Sequence, residues 1–275
     1  MGDDGGKPLL QLESFDPSKF LTLSVDIDVE TGIAVVMLDR PDQGNAVDDR
    51  MHSELCALFQ IAQSDERVAA LVLTGSGRVF SVGGDSNPNR PYVTYTGLSP
   101  IEEAGLIIDG VIDLEVPFIC AVNGHAIGLG ATIASLADVS FVVPGVKFGD
   151  PHVQAGLPAG NGSALIWPLL VGVNKAKKLL MTGELITSES AVSLGLLSEV
   201  VPHGEALDAA LELARTLVAL PPQAVRGTKA TIHLMLRAAA DLLMEFSLNA
   251  EEAAMKHPDF AKALLAISAT GAEIG

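Results

Sequence analysis

Apolar and polar positions alternate along Leu21–Asp28 and again along Ile33–Leu38, on either side of Glu30-Thr-Gly32. Period-two alternation broken by a short turn predicts a β-hairpin. From Asp48 or Asp49, either of which can cap, the spacing becomes helical to about Ser64, with Met51, Leu55, Leu58 and Phe59 on one face. Ala69–Thr74 and Phe118–Val122 are short continuous apolar runs and predict buried strands, with a helix over about Ile101–Leu114 between them. Gly128–Leu136 reads as the start of a helix and Val139–Val143 as a strand. Helices are expected over Ser163–Leu170, Lys175–Met181 and Ser188–Leu194, and Leu197–Val201 is again strand-like. From Gly204 onward Ala and Leu recur at helical spacing, interrupted by Pro221-Pro222. Strands alternating with helices, followed by an all-helical tail, define an α/β chain. Three regions follow: a polar, Gly-rich segment 1–19, a core 20–203 and a helical region 204–275.

Composition narrows what this chain does. It has 275 residues, 48% of them hydrophobic, so a large folded core is expected. No apolar run has the length of a membrane span, and the start shows no basic-then-apolar leader. The net charge of −17, from 17 basic and 34 acidic residues, argues against nucleic acid and anionic lipid as partners. Cys56 and Cys120 sit in apolar contexts and are expected as buried free thiols in a reducing, cytoplasmic setting. No C-x-x-C or H-x-x-x-H spacing suggests a metal, and the G-x-G-x-x-G dinucleotide fingerprint is absent after the first strand.

Two Gly-rich segments carry the candidate chemistry: Gly75-Ser-Gly-Arg-Val-Phe-Ser-Val-Gly-Gly-Asp85 and Ala121-Val-Asn-Gly-His-Ala-Ile-Gly-Leu-Gly-Ala131. Each follows a strand-like run. Gly lets a backbone N–H approach a ligand closely, and two N–H groups converging on one carbonyl oxygen make an oxyanion hole. Asp150-Pro151-His152 is a second candidate. Asp150 reads as an N-cap and Pro151 as the first helical residue, which puts His152 in a first turn whose dipole favours the neutral imidazole. The loop Ser86–Gly97, rich in turn formers, is a candidate pocket wall or lid. Tyr92 and Tyr95 can line that pocket, and Trp167 is expected in the core.

These blocks, with Leu38-Asp-Arg-Pro-Asp-Gln-Gly-Asn-Ala46, Pro117–Gly130, Lys147-Phe-Gly-Asp-Pro151, Gly156-Leu-Pro-Ala-Gly-Asn-Gly162, Met181-Thr-Gly-Glu184 and Ala191–Val201, resemble the crotonase (enoyl-CoA hydratase/isomerase) superfamily. The resemblance implies a spiral of ββα turns and a C-terminal helical region that packs across subunits in a trimer or dimer of trimers. It also implies an enzyme acting on an acyl-CoA thioester or related carbonyl substrate, with coenzyme A as part of the substrate and no other cofactor. By the same resemblance, Gly84 and Leu129 supply the two oxyanion N–H groups. Val82, Asp85 and Asn87 lie on the stretch that meets the coenzyme. Thr132 and His152 stand where hydratases of the family carry their two Glu residues, so His152 with Asp150 becomes the candidate acid–base pair. Thr132 and Asn161 are candidate substrate contacts, Asn161 in an expected left-handed turn. The tail lacks the basic residues many members use to hold coenzyme phosphates. Two alternatives stay open: C–C bond hydrolysis of a β-diketone-type substrate, which some relatives perform with His and Asp, and non-catalytic acyl-CoA binding.

Overall fold

The computed structural model describes residues 9–85 and 92–270, apart from the side chains of residues 268–270. The hairpin forms from β1 (Leu23–Asp28) and β2 (Ile33–Leu38). Leu21 and Thr22, expected in the first strand, are instead held by a buried carboxylate. Glu54 accepts from the N–H groups of Leu21, Thr22 and Leu23 and from the Thr22 hydroxyl, at 2.6–3.0 Å. Glu54 lies on α1 (Asp49–Ser64), which begins at Asp48, whose side chain accepts from Met51 N–H.

Next come β3 (Ala70–Gly75), α2 (Pro100–Asp113), β4 (Phe118–Val122), β5 (Ala126–Ile127), α3 (Leu129–Leu136), β6 (Val139–Val142) and β7 (Lys147–Gly149). They are followed by α4 (Ser163–Val171), α5 (Val173–Thr182), β8 (Ile186–Thr187), α6 (Ser188–Leu194), β9 (Glu199–Val200), α7 (Ala206–Val218), α8 (Pro222–Met255) and α9 (Pro258–Thr270). α2 starts with a reciprocal Ser99/Glu102 capping box, which satisfies two of its first-turn donors.

The main sheet has the order β1-β2-β3-β4-β6-β9 and is parallel after the first hairpin. Every residue of β3 and β4 is buried, as continuous apolar runs in a covered parallel sheet should be. β3 and β4 are neighbours and parallel, so the loops that follow them leave from the same edge of the sheet. A second, smaller sheet, β5-β7-β8, pairs β5 parallel with β7 and β7 antiparallel with β8. Its strands are two or three residues long, too short for period-two patterning to mark in the sequence.

The C-terminal helices are part of the same body. Ala206, Ala210 and Ala214 of α7 bury against Val72, Ile119 and Phe141 of the sheet. α8 is stapled to the core by the Lys229 ammonium, which donates to Val116 O (2.7 Å) and pairs with Asp138 (2.8 Å). His233 adds a contact to Asp138 at 3.2 Å. Trp167 is buried as expected, stacked on Phe148 with its indole N–H on Ser135 Oγ. Cys56 and Cys120 are free and buried, and burial pushes both thiols up, Cys56 to about 12. No helix among the described residues is long and apolar enough to cross a membrane.

Candidate active site

The two Gly-rich segments meet because their strands do. Ser81 N–H donates to His125 O and Ile127 N–H to Ser81 O, which ties one segment directly to the other. At Gly83 (φ +91°) a side chain would lie 3.1 Å from Ile127 O and 3.7 Å from Gly128 Cα, so only glycine permits the approach. Val47 pairs with the peptides on either side of Gly84: its N–H donates to Gly83 O and its carbonyl accepts from Asp85 N–H. That parallel bridge turns the Gly84 N–H away from Val47. Leu129 is the first residue of α3, where an N–H has no partner within the helix. Gly84 and Leu129 both line one cavity of about 380 Å³.

The short sheet brings the third loop into place. Ile127 is in register with Gly149, and Gly128 N–H donates to Gly149 O at 2.9 Å. The chain leaving β7 therefore runs beside the chain entering α3, and three residues on it presents His152. A Cβ on Gly128 would stand 3.7 Å from His152 Cε1, which places the imidazole against the Gly128–Leu129 turn.

His152 begins a 3₁₀ turn, His152–Ala155, whose cap position is Pro151 rather than Asp150. The buried Asp150 carboxylate turns back, accepting from His152 N–H and contacting His152 Nδ1. Asn161 Nδ2 lies 3.2 Å from Nε2 on the far side of the ring. Asn161 precedes α4, and the left-handed conformation expected for it falls on Gly162 (φ +106°). The neutral imidazole expected from the helix dipole is also revised. Burial disfavours the charged ring, but Asp150, with a further contribution from Glu251, outweighs it and lifts His152 to about 9. Burial likewise works against the Asp150 carboxylate, yet the imidazolium beside it and the Ser163 hydroxyl hold it below its ordinary range.

Glu251 is a further candidate, one that no motif in the sequence marks. It projects from α8, is buried, and lines the cavity with His152. Burial pushes it up to about 7, His152 pulls it down and Asp150 pushes it up further. Its Oε2 and the Asn161 Oδ1 are buried without a protein hydrogen bond. A half-turn of the Asn161 amide exchanges donor for acceptor. The amide can therefore donate to a neutral Nε2 or accept from a protonated one. A signal for Glu251 does exist. Ala240, Met244, Glu251 and Met255 fall at helical spacing, so the carboxylate interrupts an otherwise apolar stripe.

Among the other expected residues, Val82, Asp85 and Asn161 line the cavity. Asp85 also lies 4.0 Å from the Arg40 guanidinium. Thr132 does not line it. Its hydroxyl donates to Gly128 O and meets Ser163 Oγ at 2.6 Å, fully buried behind the loop. Asp150 likewise sits behind His152. Asn87 lies outside the described residues. Tyr92 lines the cavity, whereas Tyr95 lies under the Arg50 guanidinium, 4.9 Å from ring centre. Phe260 and Leu264 of α9 close one side, in the stretch where a basic tail was sought.

Most of the chain, and not only this site, has counterparts. The family model described as Enoyl-CoA hydratase/isomerase matches residues 28–267. The short-chain-enoyl-CoA hydratase of Clostridium acetobutylicum is 31% identical over 232 residues, 82% of this chain and 87% of that one. The 1,2-epoxyphenylacetyl-CoA isomerase of Escherichia coli is 28% identical over 249 residues, covering 88% and 94%. A crystal structure of an enoyl-CoA hydratase/isomerase from Mycobacterium paratuberculosis superposes with a TM-score of 0.83 at 32% identity, covering 89% of this chain and 97% of that one. Sequence blocks, sheet order and the paired Gly-rich loops thus converge, and this chain is an enzyme of the enoyl-CoA hydratase/isomerase family of the crotonase superfamily.

Proposed function

We propose that the enzyme polarises the carbonyl of an acyl-CoA thioester on the N–H groups of Gly84 and Leu129, and moves protons at the adjacent carbons with Glu251 and His152. The observation that carries this reading is the facing of two titratable groups, raised to about 7 and about 9, onto the cavity that the two Gly loops line. A base poised near neutrality and an acid still charged there are matched to proton transfer. In hydration of a 2-enoyl thioester, ionised Glu251 takes a proton from water as its oxygen bonds to the β-carbon. The π electrons move into an enolate held by the two N–H groups. Imidazolium His152 then gives the Nε2 proton to the α-carbon. Double-bond isomerisation uses the same enolate, with a proton removed from one carbon and returned to another. Coenzyme A enters as part of the substrate, and no other cofactor takes part.

The active unit on this reading is a cytoplasmic trimer or dimer of trimers, in which Leu234, Leu242 and Phe246, exposed on α8, are covered by a neighbouring copy. A second reaction is favoured by one feature of the site's surroundings. Arg40 is engaged by Asp48 and by Ala46 O, and Lys178 by Glu184, so neither is spare for coenzyme phosphates. C–C bond hydrolysis of a β-diketone needs no such phosphates, and Glu251 can take the proton of its attacking water while the Asp150–His152 pair protonates the departing carbon. Mass spectrometry separates the readings. A gain of one water on an intact enoyl-CoA supports hydration, and loss of that turnover in a folded His152→Ala variant assigns the residue. Cleavage of a free diketone, with every thioester untouched, supports hydrolysis.

A further inference from the structure

The cavity has a second polar wall that the reaction above does not use. His52 of α1 lines it, one turn on from Asp49, which lines it as well. The His52 ring is held from behind: Nδ1 lies 2.8 Å from Glu103 Oε2 on α2. Glu103 is fully buried and accepts two further hydrogen bonds, from the Ser53 and Thr96 hydroxyls at 2.6 Å each. Ser53 Oγ in turn accepts from Tyr95 N–H. Tyr92 packs edge-on against the imidazole at 5.8 Å and 88°. A histidine ring whose Nδ1 is engaged by a carboxylate turns Nε2 to its opposite edge, where a hydroxyl can pair with it as donor or as acceptor. Around them Pro100, Ile101 and Ala104 are apolar.

We infer that this wall recognises a hydroxyl group carried on the acyl part of the substrate, away from the thioester. The inference rests on the thioester reading above and names its substrate class. A purely alkyl chain laid against this wall would bury Nε2 without a partner, and sites built around such a group discriminate strongly against substrates that cannot satisfy it. Packing alone does not call for an imidazole with a three-donor carboxylate behind it, since leucine would fill the same space. His52 is a specificity residue. It belongs to α1, whereas the reacting groups come from the 3₁₀ turn and α8.

The test uses the full-length enzyme and short- and medium-chain 2-enoyl-CoA thioesters ending in methyl, hydroxyl or carboxylate groups. Both turnover and calorimetric binding are read. The expected result is a preference of about tenfold or more in kcat/KM for a hydroxyl-ended chain over the matched methyl-ended one. His52→Leu should abolish or invert that preference while turnover of the methyl-ended chain persists. Because His52→Leu strips Glu103 of a partner, a His52→Leu/Glu103→Leu double variant repeats the measurement without that unpaired carboxylate. Equal kcat/KM for the hydroxyl and methyl ends in the unaltered enzyme overturns the inference and leaves the thioester reading standing. A preference for the carboxylate end overturns it in favour of an anionic tail. Failure of every thioester to bind or react removes both readings together.

Discussion

Glu251→Gln should make the protein more stable and less active at the same time, each in a pH-dependent way. The carboxyl is raised from an ordinary 4.5 to about 7 in the folded protein. A raised carboxyl costs folding free energy above its unfolded value, and the cost grows until pH passes the folded value. With about 1.4 kcal/mol per unit, the penalty is about 1 kcal/mol near pH 5 and about 3 kcal/mol near pH 8. Gln keeps the volume and carries no charge. Glu251 Oε2 accepts no hydrogen bond within the protein, so none is lost there. Calorimetry should therefore show a Tm gain of roughly 6–12 °C near pH 8 and about a third of that near pH 5.

His152 modifies the slope without reversing it. Its folded value is raised from 6.5 to about 9, so its contribution to stability is complete below 6.5 and disappears as pH climbs through 9. Removing the Glu251 charge lowers His152 somewhat and trims the gain. In kinetics, kcat/KM for the unaltered enzyme should be bell-shaped, rising near 7 and falling near 9. Glu251→Gln should lose the acidic limb, shift the basic limb down and fall by about 10²-fold or more at the optimum. An equal Tm change at both pH values, or an acidic limb that survives the substitution, would refute the assignment of Glu251 as the neutral-pH base.

Three other substitutions probe how the site is held. A Cβ at Gly160 would stand 2.4 Å from Glu251 Oε2 and 2.9 Å from Ser247 O, so Gly160→Ala should push α8 outward. It should cost about 1–3 kcal/mol in denaturant unfolding and depress kcat with it. Asp138→Asn strips the buried Lys229 of its anionic partner and should lower stability by about 3–5 kcal/mol, a Tm loss of about 10 °C, with kcat at moderate temperature little changed. Glu54→Gln replaces an acceptor of five hydrogen bonds, one of them from the Arg50 guanidinium, with a group that must also place two donors in a buried site. A loss of about 2 kcal/mol and faster hydrogen exchange at Leu21–Leu23 are expected.

What the sequence disclosed about this site follows the range of the forces involved. The hairpin, α1 and the buried runs of β3 and β4 are local facts, written in period and composition. That the Gly83 and Gly128 turns touch is not local: it follows from β3 and β4 lying side by side, which their own patterns do not state. His152 reaches Gly128 through the pairing of Ile127 with Gly149, in strands of two and three residues. The charge of His152 is set over the same long range, and the neutral ring expected from the local helix end is not found. Against burial, that charge is decided by Asp150 turned backward and by Glu251, about a hundred residues away, and not by a helix end within the segment. Thr132 shows the converse. The resemblance implies a substrate contact there, but with a hydroxyl short enough to bond Gly128 O and Ser163 it closes a network behind the loop. On the proposed mechanism the carboxylate comes from α8. That helix carries no motif, and the mark of Glu251 in the sequence is one charged residue on an otherwise apolar stripe.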